Sequence, residues 1–301
     1  MGDTVVPARF SSFNLQVLTT NIIIIMKKYI TVAALLAAGS AFANAEEITL
    51  RYEISVFDGG SKNSATSPGQ TSIGCNGYVN WTTEYSDISG SGKQVANLQG
   101  NGHFYINGES GISVKDDTVL NTVDGFTLVF NGYAVANWAD FLSVTIGGTQ
   151  YKFESTDSNS VAVYSPTGVE NNVTELGKVS GVSKNTWYNY ALSVLGTSYT
   201  YSAWDAAGNK VGSLTFEGAS GNLTDVYEGS RFSQHWYGGA LDNVGLYDGA
   251  LGDKELKTLV TSEASGKGMV QSFSIVPEPS TFGLLAGLGA LALVSSRRRR
   301  R

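Results

Sequence analysis

The fold class that the sequence predicts is all-β: a two-sheet antiparallel jelly-roll sandwich with one short C-terminal helix, flanked at each end by a short apolar segment. Three observations carry this. The chain of 301 residues holds 36 glycines and only 5 prolines, and Gly, Asn, Ser and Thr separate aromatic or β-branched runs that recur every ten to fifteen residues or so. One such run, WYNYALSV from Trp187, alternates with period two, which places Tyr188, Tyr190, Leu192 and Val194 on one face. About ten runs with one helix after them favour two layers, because a sheet of that strand number folds over to bury both inner faces.

In chain order, EITLRYEIS (47–55), HFYING (103–108) and GFTLVFNGYAV (125–135) read as strands. FLSVTIGG (141–148) and TQYKFES (149–155) meet at Gly147-Gly148-Thr149, which suits a hairpin. SVAVYS (160–165) and WYNYALSVLG (187–196) follow, with Trp187 expected in the core. SYTYSAWDA (198–206) and KVGSLTFEG (210–218) are joined through Ala207-Gly208-Asn209, again a turn composition. ALDNVGLYD (240–248) is the last predicted strand. The helix starts at Leu251: Leu256, Leu259 and Val260 fall at helical spacing, and Asp253 is placed to cap its first turn.

The two ends are set aside before the core is counted. From Met26, two lysines precede an apolar stretch and then small residues at Ala41, Ala43 and Ala45, the form of a secretory signal peptide over 26–45 cut before Glu46. Residues 1–25 suit neither a signal nor a domain, so translation is expected to begin at Met26. At the other end Phe282 to Val294 is uncharged and apolar, followed by two serines and five arginines. Thirteen residues of helix reach only about 20 Å against a hydrocarbon core of roughly 30 Å. The arginines act as a cytoplasmic stop and the serines help fill the interface. The domain is therefore expected over 46–265, with a linker at 266–276 and the tail at 277–301.

Pro277, Glu278 and Pro279, then Ser280-Thr281, a short Leu/Ala/Gly helix and the arginine cluster, resemble the PEP-CTERM sorting signal of Gram-negative bacteria. The resemblance implies export through the Sec machinery and transient anchoring at the inner membrane by the sorting helix. An exosortase then processes the tail, and delivery is to the outer surface or extracellular matrix.

Charge and cysteine usage narrow the partners. Of 20 Lys+Arg and 26 Asp+Glu, the segment between the signals keeps about 12 basic and about 24 acidic groups, a balance that repels phosphate backbones and argues against nucleic acid. Cys75 is the single cysteine, so no intramolecular disulfide can form and the fold must hold by packing.

The closing segment GGALDNVGLYDGALGDKELKTLV (238–260) resembles that of laminin-G-like, concanavalin A-type jelly rolls. WYNYALSV with the later aromatic strand and turn is a weaker second match. The turn reads Trp204-Asp205-Ala206-Ala207-Gly208 instead of the family's Asp-Gly, and is expected to be longer. The resemblance implies a structural calcium held by acids of the first and last strands, which would make Asp58 and Asp242 ligands.

His103 and His235 are the only histidines; neither has zinc spacing or a nucleophile elbow to serve. Glycoside hydrolysis needs two carboxylates on one face, at i and i+2 or i+4 along a strand. No predicted strand offers such a run, although acids can converge from neighbouring strands. Binding has a positive signal: sugar CH faces pack on aromatic rings, and polar side chains take the hydroxyls. The stretch containing Gln234, His235, Trp236 and Tyr237, and a second with Trp138 and Asp140, have that composition. The alternative is that these rings fill the core. A carbohydrate-binding adhesin leads, ahead of a glycoside hydrolase and of a purely structural matrix protein.

Overall fold

Tight turns set the pairing. In the computed structural model Gly147 and Gly148 have φ of +56° and +77°, left-handed values that a two-residue hairpin requires and that glycine adopts freely. They join the strands in which Ile146 faces Thr149. The 205–209 turn is longer than Asp-Gly, as its sequence implies: the Asp205 carboxylate accepts the main-chain N–H groups of Ala207 (3.0 Å) and Asn209 (2.8 Å).

The structure describes residues 46–57, 60–63, 72–82, 87–91, 95–108, 110–113, 118–134, 137, 139–156, 159–166, 173–229 and 239–275. The extension expected at 1–25, the signal peptide expected at 26–45 and the tail at 277–301 lie outside them. The folded body runs Glu47–Phe273. Its strands are β1 (Glu46–Phe57), β2 (Gly60–Asn63), β3 (Ser72–Thr82), β4 (Val95–Asn107), β5 (Phe126–Ala134), β6 (Asp140–Ile146), β7 (Thr149–Ser155) and β8 (Ser160–Pro166). They continue as β9 (Val173–Ser180), β10 (Trp187–Leu195), β11 (Ser198–Trp204), β12 (Lys210–Glu217), β13 (Leu223–Gly229) and β14 (Gly239–Tyr247), then helix α1 (Asp253–Ala264) and β15 (Ser272–Ile275).

The paired strands run β12-β11-β10-β5-β14-β4-β13-β6-β7-β8-β9, and the ladder folds into two layers at β4. The first half of that strand pairs with β14 at Ala96, Asn97 and Leu98, and its second half with β13 from His103 to Asn107. Rings from the two layers meet in the core. Phe141 lies 5.0 Å from Tyr190, Phe153 4.5 Å from Tyr201 and Tyr151 5.4 Å from Tyr199, between ring centroids. Each such pair contributes about 0.5–1.5 kcal/mol beyond its buried area. At the far edges β9 and β12 approach closely, and a Cβ on Gly212 would sit 2.7 Å from the Ser180 carbonyl oxygen. The result is the antiparallel two-sheet sandwich with one helix that the composition predicts.

Three local expectations change. Tyr188, Tyr190, Leu192 and Val194 are all buried in the core, and the same alternation puts Trp187 on the opposite face, where it is only half-buried. It is not a core residue. Asp253 does not cap α1: the N-cap is Gly252, with no side-chain bond, and the Asp253 carboxylate instead takes the Lys210 ammonium. The linker expected at 266–276 contains β15, paired with β1.

Five strands lie outside the predicted runs. The Gly- and Asn-rich SIGCNGYVNWT of β3 reads as turn composition. β9, VTELGKVS, buries only Val179, because its backbone pairing with β8 places no demand on apolar side chains. β2 and β15 are four residues each, too short to show a period, and β13 carries two acids and a terminal glycine.

Candidate functional site

The outer face of the first layer carries a row of polar side chains. By alternation, Thr127, Asn131 and Tyr133 of β5 point away from the core that receives Phe126, Leu128 and Phe130. Cross-strand register then aligns Asp242 with Asn131 and Asn131 with Asn189. Helix α1 lies over this row, its buried residues being Leu256, Leu259, Val260 and Glu263. Its approach is fixed at Thr127, whose hydroxyl donates to the Gly249 carbonyl and accepts the Leu251 N–H, both at 2.8 Å.

Near the other end of the helix, Glu263 enters a set of amides. Its Oε1 accepts from Asn131 Nδ2 at 2.9 Å, and its Oε2 accepts from Asn189 Nδ2. Asn189 Nδ2 also donates to Asn131 Oδ1 at 3.0 Å. Asn243 is the extra residue of a bulge, with φ +42°. Its N–H donates to Asp242 Oδ1 at 3.0 Å, and its side chain also bonds Glu263.

Among the described residues no cation faces Glu263. Burial raises its pKa to about 8; the charges of Asp242 and Glu53 add to the rise, while the amides of Asn131 and Asn243 oppose it. Glu263 is thus a neutral acid at neutral pH. Asn189 Oδ1 and Asn243 Oδ1 are buried and accept no bond among the described residues; both belong to amides already in contact with Glu263. The three acids converge from β1, β14 and α1, so no single strand shows them in sequence. They are nearly inaccessible, Glu53 at 7% and Asp242 at 2% exposed, and their arrangement fastens the helix to the sheet.

Two residues further along the same strands the face opens. Tyr133 and Trp187 are register partners, both half-buried, with ring centroids 5.5 Å apart. Ala134 ends β5 opposite Gly239, where β14 begins. The connections 135–139 and 230–238 therefore leave the same end of two neighbouring strands. The Asn185 N–H donates to the Ala134 carbonyl at 2.8 Å, which brings the turn before β10 to that end as well. Both aromatic stretches singled out by composition, about 100 residues apart, are attached here.

Of the residues in those stretches, Asn137 is exposed and Asp140 is buried at the start of β6, opposite Glu154. Trp138, Gln234, His235, Trp236 and Tyr237 lie outside the described residues, as do Asp58, Pro277, Glu278 and Pro279, and nothing of the His103 side chain is described. Tyr133 and Trp187 are the members that composition missed, although the period-two count separates Trp187 from Tyr188. Asp242, expected as a calcium ligand, accepts the Asn243 main-chain N–H. Among the described residues no group of three or more His, Cys, Asp or Glu could hold a metal ion. Asp248, at the end of the same strand, accepts the Thr49 N–H at 2.6 Å and pairs with Arg51, tying β1 to β14.

The PEP-CTERM protein-sorting motif matches residues 276–300. No curated protein matches the chain by sequence. Among solved structures, the binding domain of Paraclostridial mosquitocidal protein 1 is similar at 14% identity and a TM-score of 0.50, covering 71% of this chain and 52% of that one. The receptor-binding domain of botulinum neurotoxin D aligns at 7% identity and a TM-score of 0.50, covering 71% and 53%. The chain spans about half the length of these structures, and at such identity the likeness is one of fold. The sorting motif indicates export, exosortase recognition and C-terminal processing to the cell envelope or surface. Among the described residues no helix is long and apolar enough to cross a membrane.

Proposed function

We propose that the exported domain is a carbohydrate-binding adhesive module of the laminin-G-like type. Its ligand surface is the end of the sandwich where β5, β10 and β14 present Tyr133 and Trp187. The observation that carries the reading is the pairing of Ala134 with Gly239, which roots the 135–139 and 230–238 segments side by side, next to a half-open aromatic pair. Rings that are partly exposed suit the CH faces of a sugar, and Asn137, Gln234 and His235 of those segments suit its hydroxyls. Other proteins use a similar sandwich as a receptor-binding domain, which supports the scaffold and leaves the ligand to these side chains.

A glycoside hydrolase is the second reading. Such an enzyme sets a carboxyl of raised pKa beside a second carboxyl, and Glu263, its pKa raised chiefly by burial, has Asp242 as such a neighbour. Their burial under α1, away from any substrate, favours binding instead. A matrix protein without a small ligand is the third.

The test is a glycan array with the purified domain, with and without added calcium, alongside its Trp187→Ala and Trp236→Ala variants. Retention of defined glycans that drops about tenfold or more in both variants supports the module, since one stacked ring is worth roughly 1–3 kcal/mol. Cleavage of an arrayed glycan selects the hydrolase, and silence across the array selects the structural role. Retention equal to wild type in both variants removes this end of the sandwich from consideration.

A further inference from the structure

The turn that leads into β10 is fastened on both sides. Val182 is buried in the core, and its N–H donates to the Asn159 carbonyl at 3.1 Å. The Ser183 N–H donates to the Tyr188 hydroxyl at 3.1 Å. Asn185 takes the left-handed conformation, φ +57°, which asparagine tolerates better than most residues. Its N–H donates to the Ala134 carbonyl at 2.8 Å, next to Tyr133 in the chain. Lys184 therefore sits between fixed neighbours, in a turn that reaches from the start of β10 to the end of β5. Its main-chain carbonyl accepts the Thr186 hydroxyl at 3.4 Å. A side chain carried on so settled a backbone leaves less ordering to be done when something binds.

Lys184 is half-buried, yet among the described residues its ammonium has no carboxylate partner, whereas Arg51, Lys178 and Lys210 are each paired with an acid. Asn185, next to it, is exposed. We infer that the Tyr133–Trp187 end of the sandwich recognises a sugar that bears a carboxylate: the ring face packs on the aromatic pair, the Lys184 ammonium donates to the carboxylate, and the Asn185 amide serves a neighbouring hydroxyl. This rests on the reading of this end as a glycan site and names the class of glycan. Three residues separate Lys184 from Trp187, at most about 10 Å along the chain, a span that one sugar with its carboxylate and the lysine side chain can bridge. A half-buried ammonium has already given up part of its water, and a charge-assisted bond to an anion returns more than a neutral acceptor does. The acidic balance of the chain, 26 Asp+Glu against 20 Lys+Arg, limits the ligand further. Exposed charges more than a Debye length apart, about 8 Å at physiological salt, are largely screened, so a single carboxylate at Lys184 is governed by that ammonium. A polyanion would carry its further charges past Lys184 onto an acidic surface. The fit is to isolated carboxylates on an otherwise neutral chain, not to a sulfated or fully acidic polymer.

The experiment measures retention of the exported protein on immobilised oligosaccharides of two kinds, neutral chains capped by one terminal hexuronate and neutral chains with a hexuronate inside the repeat, each beside its carboxyl-reduced form. Wild type is compared with Lys184→Gln, Lys184→Arg and Trp187→Ala. Wild type is expected to hold at least one carboxylated kind about tenfold or more tightly than its reduced form, the scale of one charge-assisted hydrogen bond; which kind is held tells a chain-end site from an internal one. Lys184→Gln should fall to the level of the reduced form, and Lys184→Arg should stay within about threefold of wild type because it keeps the charge. High salt should weaken the carboxylated arm and leave the reduced arm unchanged. Equal retention of carboxylated and reduced forms, both lost in Trp187→Ala, overturns the carboxylate and keeps the glycan site. An acidic preference that survives in Lys184→Gln overturns the role of Lys184. No retention on any chain overturns this inference together with the glycan reading beneath it.

Discussion

Asn131 with Asn189, and Tyr133 with Trp187, are neighbouring cross-strand pairs on the same face of the same two strands, two residues apart. The first pair is buried to 0% exposure, its amides bonded to each other and to Glu263. The second is half open and bonds through its rings. The helix makes the difference. Under α1 a side chain finds its hydrogen-bond partners among other side chains, which suits amides gathered around a buried acid. Beyond it, large rings can keep one side packed and one side available.

Removal of the pin should have the largest effect. Glu263→Ala leaves the Asn131 and Asn189 amides without their acceptor in a dry contact and opens a cavity, and should cost about 3 kcal/mol or more in denaturant unfolding. Trp187→Ala, at the open pair, should cost markedly less stability in the same measurement while lowering glycan retention. Equal losses from the two would erase the distinction between covered and open parts of the face.

The pH dependence sharpens the comparison. The folded pKa of Glu263, about 8, lies above its ordinary 4.5. Between those values the folded state holds a proton that the unfolded chain has released, so the stability from this group is intact below about pH 4.5 and falls as pH rises to 8, levelling beyond. Glu263→Gln, which cannot ionise, should flatten that slope and gain on wild type as pH approaches 8. Chemical unfolding at pH 5, 6.5 and 8 reads it, and parallel slopes in the two proteins would show that the acid is ionised in the fold.

The smallest effect belongs to the opposite end of α1. Asp253→Ala breaks an exposed ion pair with Lys210 and removes one of two acids from the first turn of α1, while Gly252 stays as the N-cap. A loss within about 1 kcal/mol, shrinking in high salt, is expected from thermal unfolding.

Much of the fold was legible because the sequence repeats itself locally. The core face of β10 follows from alternation alone, and the 147–148 and 205–209 turns from their Gly, Asp and Asn residues. β9 was illegible because an edge strand paired through its backbone carries no hydrophobic period. The Asp253 cap was misread by one residue: the helix starts directly after Gly252, so Asp253 is already helical, and its carboxylate meets Lys210 of a distant strand. Glu263 gave no signal in the sequence at all. It reads as one more acid on a soluble helix until the sheet beneath it is known.

By itself the sequence determined where the chain goes and what class of fold travels there. The sorting motif is contiguous in the chain, and strand alternation is a property of neighbours in sequence. Tertiary structure decided which residues meet: Asp242 with Asn131 and Asn189 beneath Glu263, Ala134 with Gly239, and Phe273 on Tyr247. Those meetings depend on register between strands more than a hundred residues apart and on burial by a helix near the end of the folded body. Register and burial are set by the whole sheet closing at once, so no local window of sequence contains them.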